Sequence, residues 1–373
     1  MGIENRRRLI SEIEDLRGSR LITYIVTTKP GISTQIDTID LREIYDHLLK
    51  IGNVEKIDLF IYSLGGTSTV AWALTNLIRE FTEKFAVIVP SFAFSCATSI
   101  ALGADEIVMG KMGTLGPVDP SVANPFNPVI SGKITPISVE DIGGYEALLR
   151  DKAKLTNEDN FTNMFNRLCI KVNPLALGNA YRHYIKARDD ANKLLELHMD
   201  PEGDKVLLEK IVDTLVEKLY FHGHHIPQSE AKKIGLKAQK ASDYQTDGQN
   251  LEELIWKLYV EYENELDMLY KYEDDLKSGE GKRIIPTKMI ESKDTSSSYV
   301  IEQKYLKISP KPGTFLTRVN DMHALAIPMQ QGYHIIPIKL QGSPAIIGND
   351  IYDKSESSYW RKFETDKELY EPC

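Results

Sequence analysis

No charged residue stands between Lys84 and Asp105 of this 373-residue chain. A run of that length could cross a membrane, which takes about 20 apolar residues. Yet "FAVIVPSFAFSCATSIALGA" (85–104) holds a proline, three serines, a threonine and a cysteine. Pro90 removes a backbone donor and biases the residue before it away from helical geometry. "FAVIV" ahead of it is β-branched and fits a short buried strand. Ala97, Ala101 and Ala104 behind it suit a helix. The run therefore divides into strand, tight turn and helix, with Ser95 at the turn, and no membrane span is expected.

The flanking sequence repeats this alternation. "RLITYIVT" (20–27) and "KIDLFIYS" (56–63) read as strands. "IDLREIYDHLLKIG" (39–52) and residues 68–82 carry apolar residues at helical spacing, and "EIVMG" (106–110) is a further strand. Strands alternating with helices predict an α/β fold with parallel sheet and right-handed crossovers. "TLGPVDPSVANPFNPVISGKITP" (114–136) is rich in Pro, Gly and Asn and reads as a long exposed loop. Residues 140–220 read as mostly helical. A charged helix is predicted over 251–279, with Leu254, Leu258, Tyr262, Leu266 and Tyr270 on one stripe, as a surface or oligomerisation helix. "SGEGK" (278–282) is a linker, and from 283 the pattern turns to strands: "RIIPTKMI", "SYVIEQKYLKI", "FLTRV" and "YHIIPIKL".

A formal net charge of -9 argues against a broad nucleic-acid surface. The first twenty residues contain no apolar run of the secretory kind. Cys96, Cys169 and Cys373 are too few and too scattered for a disulfide framework or a zinc site, so a cytoplasmic location is expected.

Two elements sit where a strand ends and a helix begins, the edge at which open α/β sheets bind ligands. One is Gly65-Gly66, whose backbone can take a positive φ and approach a substrate closely. The other is Ser95, with the free N–H of Cys96 beside it. Backbone N–H groups of Gly65, Gly66 and Cys96 could form an oxyanion hole beside a serine nucleophile. Read without that pairing, the glycines are a plain turn and Ser95 an N-cap. Cys96 is the rival nucleophile, but an apolar setting would keep its thiol protonated. The histidines of "HGHHIP" (His222, His224 and His225) lack acidic or cysteine partners at ligand spacing, which points to a solvated turn rather than a metal site.

"DLFIYSLGG", "VPSFAFSCATSIALGADEIVMG" and "LGPVDP" together resemble the serine dehydrogenase proteinase family, which is similar to signal peptide peptidase A within the Clp protease/crotonase superfamily. The resemblance is specific over 57–120, weaker over about 10–240, and absent from 243–373. It implies a Clp/crotonase-like spiral of ββα units over residues 1–242, serine peptidase chemistry without a cofactor, and assembly into homo-oligomers. A helical arm (243–280) and a β-rich region of unknown role (281–373) follow. The family's nucleophile falls on Ser95 and its oxyanion turn on Gly65 and Gly66, although Leu64 stands where the family has proline and Cys96-Ala97 where it has small residues. The segment "KMGTLGPVDPSV" lacks the histidine of Clp-type peptidases. The base is therefore sought in Lys171, with Lys133 and Lys152 in the same region, or in His222. A lysine base must be desolvated so that its pKa falls toward neutrality; a histidine titrates there unaided. The expected substrate is a peptide or unfolded protein. A crotonase-type acyl-CoA enzyme and a non-catalytic assembly or recognition protein are the other classes this fold accommodates.

Overall fold

The computed structural model describes residues 2–118, 124–130, 132–155, 157–219, 223–246 and 248–270. Beyond these it describes the strand segments 281–307, 315–319, 322–328, 333–337, 343–347, 350–364 and 367–370. The chain forms two compact units, one of residues 8–24 and 35–259, the other of residues 1–7, 25–34 and 260–373. These do not coincide with the sequence boundaries at 242 and 280.

The first unit begins within helix α1 (Gly2–Arg17), and β1 (Arg20–Val26) leads off the strands. There follow α2 (Asp40–Ile51), β2 (Val54–Tyr62), α3 (Thr69–Arg79), β3 (Thr82–Val89), β4 (Phe92–Ala93), α4 (Cys96–Leu102), β5 (Glu106–Met109) and β6 (Thr114–Leu115). A short hairpin β7 (Val129–Ile130) and β8 (Lys133–Ile134) precedes α5 (Val139–Ala147), a π-helical turn (Leu148–Lys152), α6 (Glu158–Lys171) and α7 (Pro174–Glu196). Then come α8 (Lys205–Asp213), β9 (Ile226–Pro227), α9 (Gln228–Ile234), β10 (Ala238–Lys240), the hairpin β11 (Gln245–Thr246) and β12 (Gln249–Asn250), and α10 (Leu251–Glu265).

The main sheet of this unit runs in the order β10-β5-β3-β2-β1, and its pairs β2/β3, β3/β5 and β5/β10 are parallel. Its strands are buried on both faces, as their unbroken β-branched runs require. A second, small sheet runs β4-β6-β9. Thus β3 and β4 end on different sheets before α4, and β5 and β6 divide in the same way. At the outset of the domain Arg17 is buried and ties α1 to β2 and β5. It donates to Asp58 at 2.8 Å and Glu106 at 2.6 Å and lies 4.5 Å from the Tyr244 ring centre.

Two expectations need revision. Residues 114–118 are not exposed loop: β6 lies inside the fold, and Leu115, Gly116, Pro117 and Val118 are buried. The α10 stripe is not a free face either, because Leu254, Leu258, Tyr262 and Leu266 are all buried. Tyr259, on the same helix, packs 5.1 Å from Tyr62 at the end of β2. The helix ends at Glu265, and residues 271–279 of the predicted element lie outside the described residues.

His198, after α7, places its Nε2 2.8 Å from the carbonyl of Leu102 at the end of α4, and its buried Nδ1 has no hydrogen-bond partner among the described residues. Burial pulls its pKa below the ordinary histidine value, against the raising effect of that hydrogen bond. The unfolded chain therefore takes up a proton near pH 6.5 that the folded chain refuses, and stability falls as pH drops through that value. A decline in melting temperature between pH 7 and pH 5 that is shallower in His198→Gln is the expected result; identical slopes would refute it.

The second unit is antiparallel. β13 (Gly281–Ser292) and β14 (Thr295–Lys307) form a hairpin, β14 pairs β19 (Asp350–Glu364), and β19 pairs both β18 (Ser343–Ile347) and β20 (Lys367–Tyr370). β15 (Phe315–Val319), β16 (Met322–Pro328) and β17 (Tyr333–Pro337) form a separate three-stranded sheet. Pro286 sits where the β13/β14 register shifts, a place that tolerates its missing N–H. At the centre of this unit the Arg6 guanidinium and Glu291 carboxylate are 3% and 2% exposed and pair at 2.8 Å. Tyr262 Oη donates to the same carboxylate at 2.6 Å, and Ser296 donates to it as well.

Candidate active site

β2 ends in Ser63-Leu64-Gly65-Gly66, and the backbone at once takes conformations that need glycine: φ is 112° at Gly65 and 156° at Gly66. Residue 36 lies alongside. Ile36 N–H donates to the Gly65 carbonyl at 3.0 Å and Thr67 N–H donates to the Ile36 carbonyl at 2.9 Å. A Cβ at position 66 would stand 2.2 Å from the Ile36 carbonyl oxygen. At position 65 it would stand 2.8 Å from Ser95 Cβ and 3.3 Å from Ser95 Oγ. The absent side chain of Gly65 is thus what lets the turn lie against Ser95.

Ser95 reaches this position from the other side. Ser63 N–H donates to the Phe92 carbonyl at 2.9 Å, and Phe94 N–H donates to the Ser63 carbonyl at 3.0 Å, which fixes β4 beside the end of β2. The buried Thr98 hydroxyl donates to the Ala93 carbonyl at 2.6 Å and accepts from Gly116 N–H at 3.0 Å, joining β4, α4 and β6. Between these restraints Ser95 adopts φ 51° and ψ -113°. That conformation is strained for a residue with a side chain, and such strain concentrates at functional sites. Ser95 occupies the N-cap position of α4 but makes no capping hydrogen bond. It is half-buried.

Of the three expected oxyanion donors, Gly65 differs: its N–H already donates to Ser63 Oγ at 2.9 Å. The N–H groups of Gly66 and Cys96 have no hydrogen-bond partner among the described residues. Cys96 itself is buried, its Sγ 3.2 Å from the Thr67 carbonyl, and burial pushes its pKa up to about 12. Its thiolate fraction at pH 8 is then of order one in ten thousand, and thiolate is the reactive form. Iodoacetamide at pH 8 should leave Cys96 unmodified in the folded protein and alkylate it only on unfolding, while the half-buried Cys169 reacts first. Rapid native modification of Cys96, mapped by mass spectrometry, would contradict this.

The candidate bases are placed less closely. Lys171 is exposed at the end of α6, a helix with no buried residue, and Lys133 and Lys152 are exposed too. None has the desolvation that a lysine base needs. His222 lies outside the described residues. Its neighbours turn to different groups: His224 Nε2 is 3.0 Å from Glu230 Oε1, while the His225 ring meets the rings of Phe94 and Phe92 edge-on at 5.0 and 5.7 Å. A Cβ at Gly116, just after β6, would be 3.0 Å from the Phe94 ring, so a glycine there leaves space for that ring. His225 is exposed, as a solvated turn requires, and the pairing of β9 with β6, which itself pairs β4, brings it beside Phe94, the residue before Ser95.

Residues 1–171 match the model of the ClpP-like SDH-type serine proteinase family. That segment is similar to this family. It holds Ser95, the Gly65-Gly66 turn and the Cys96 amide, and the α/β fold that frames them is Clp-like, with a helical and a β-rich region after it. Two uncharacterized proteins of Methanocaldococcus jannaschii are similar to the chain. One is 29% identical over 240 residues, covering 63% of this chain and 71% of its own length. The other is 30% identical over 155 residues, 40% of this chain, and the match spans 54% of its length. Among solved structures, a variant of a membrane-bound stomatin-specific protease is 20% identical with a TM-score of 0.24, covering 36% of this chain and 64% of its own. A variant of ClpP1 from Listeria monocytogenes is 15% identical with a TM-score of 0.31, covering 63% and 98%. Among the described residues no helix is long and apolar enough to cross a membrane.

Proposed function

We propose that the protein is a serine peptidase that hydrolyses peptide or unfolded protein substrates through an acyl-enzyme on Ser95, without a cofactor. The observation that carries this reading is the state of Ser95: it stands at a helix start in a strained conformation, caps nothing, and faces a glycine turn through a gap that any side chain would fill. In the reaction Ser95 Oγ bonds to the scissile carbonyl carbon and its proton passes to a base. The carbonyl oxygen, now an oxyanion, is held by Gly66 and Cys96 N–H. Collapse breaks the C–N bond, the leaving amine takes the proton, and water then releases the acyl group by the same route. The base is His222 or Lys171. The contact of His225 with Phe94 supports the histidine segment, since it brings that stretch of chain beside the residue preceding Ser95. Lys171 could act only if a neighbouring copy buried it.

The reading extends to a cytoplasmic homo-oligomer. Neither α5 nor α6 has a buried residue, and Phe165 and Ile170 are 54% and 78% exposed. Helices of this length draw their stability from packing, and a second copy would supply it. The direct test is labelling with a fluorophosphonate, followed by peptide mapping. A single adduct on Ser95 is expected; no adduct would turn the assignment toward a non-catalytic protein of the same fold, and an adduct on another serine would move the nucleophile there.

A further inference from the structure

The geometry points to Ser63 as a positioning residue that sets the oxyanion hole of this site. The inference rests on the peptidase reading above and deepens it. Ser63 is fully buried at the end of β2 and touches both halves of the site. Its backbone grips the nucleophile side, through the hydrogen bonds with Phe92 and Phe94 on either side of Ala93. Its side chain grips the glycine side: Oγ accepts from Gly65 N–H at 2.9 Å and lies 3.2 Å from the Gly65 carbonyl oxygen, within donating distance. One residue therefore fixes the distance between the turn and the serine.

The bond to Gly65 N–H has a specific chemical consequence. Successive amides in a glycine turn compete for an incoming oxygen, and the one that wins sets where the oxyanion sits. With the Gly65 N–H held by Ser63, the next donor along the chain is Gly66 N–H, and Gly66 is itself fixed by the bonds of its neighbours Gly65 and Thr67 to Ile36. Ser63 holds the Leu64–Gly65 peptide through its N–H, and the Ile36 bond to the Gly65 carbonyl holds the next one, the peptide that carries Gly66 N–H. Loss of the hydroxyl frees the Leu64–Gly65 peptide to rotate and loosens the turn at Gly65, so that the Gly66 donor is less well pre-aimed; preorganised donors of this kind are worth about 10²–10³-fold in kcat.

The test compares Ser63→Ala and Ser63→Thr with the wild type, using an unstructured protein substrate, a fluorophosphonate, and amide hydrogen exchange read at Gly65. In Ser63→Ala, kcat is expected to fall by about 10- to 100-fold with KM little changed, because a donor aimed at the oxyanion acts in the transition state. The fluorophosphonate rate should fall in parallel, and Gly65 N–H should lose its protection. Ser63→Thr keeps the hydroxyl and should recover most of the rate if it folds. Wild-type kcat in a folded Ser63→Ala protein would overturn the proposal, as would full Gly65 protection there. A wild-type protein that neither labels nor hydrolyses would refute the peptidase reading instead; the exchange measurement would still report whether Ser63 holds the turn. Should Ser63→Ala fail to fold, Ser63→Cys, with a weaker hydrogen-bonding group in nearly the same volume, carries the same comparison, and wild-type kcat in it would count against Ser63.

Discussion

Ser95→Ala is expected to abolish hydrolysis of an unstructured protein such as casein while leaving the fold in place. Removing a catalytic serine costs at least about 10³-fold in kcat, and what is left is binding and the oxyanion hole. The structural side of the prediction is equally definite. A serine that caps a helix loses about 1 kcal/mol when changed to alanine, but Ser95 makes no capping bond. Its melting temperature should therefore hardly move. Fluorophosphonate labelling should vanish along with activity. Hydrolysis that survives in a folded Ser95→Ala protein would show that the serine is structural and that catalysis lies elsewhere.

The second large effect lies far from that site in sequence. Glu291→Ala removes an acceptor used twice by Arg6, at 2.8 and 3.0 Å, and also by Tyr262 and Ser296. Burial works against the Arg6 charge, yet the hydrogen bonds and charge of Glu291 hold its pKa above the ordinary value. With Glu291 gone, a buried guanidinium keeps, among the described residues, the partly exposed Glu265 and the ring of Tyr262. Breaking a buried pair in this way costs about 3–5 kcal/mol. Chemical denaturation should show a loss of that size in the unit formed by residues 1–7, 25–34 and 260–373. A loss below about 1 kcal/mol would mean that Glu265 and solvent satisfy Arg6 without Glu291.

The parts of this fold that could be read from sequence are those governed by neighbours in the chain. The run "FAVIVP" declared a buried strand and its end, and the structure has β3 over Thr82–Val89. Gly65-Gly66 announced a turn because only glycine takes such φ values cheaply. What was illegible depends on residues distant in sequence. Nothing near Gly65 says that its N–H is taken by a side chain two residues earlier, since a serine after a strand has many possible partners. The α10 stripe has the same period whether it faces solvent or core, so burial could not be read from it. β19 was missed because "DIYDKSESSYWRKFE" is polar on both faces, and only its pairing with β14 makes it a strand. His225 is a similar case: its neighbour Phe94 comes from a segment more than a hundred residues earlier.

The separation of Arg6 from Glu291 bears on how the chain is made. They are 285 residues apart. At roughly 5–20 residues per second on a ribosome, Arg6 emerges about 15–60 seconds before its partner exists. The first seven residues must wait, uncommitted, while residues 8–24 and 35–259 have all they need to fold. The last strands then close a unit whose opening segment was synthesised first, the kind of distant pairing that slows folding. Residues 8–24 and 35–259 would thus stand assembled, with Ser95 and its glycine turn in place, on a nascent chain whose second unit is still incomplete.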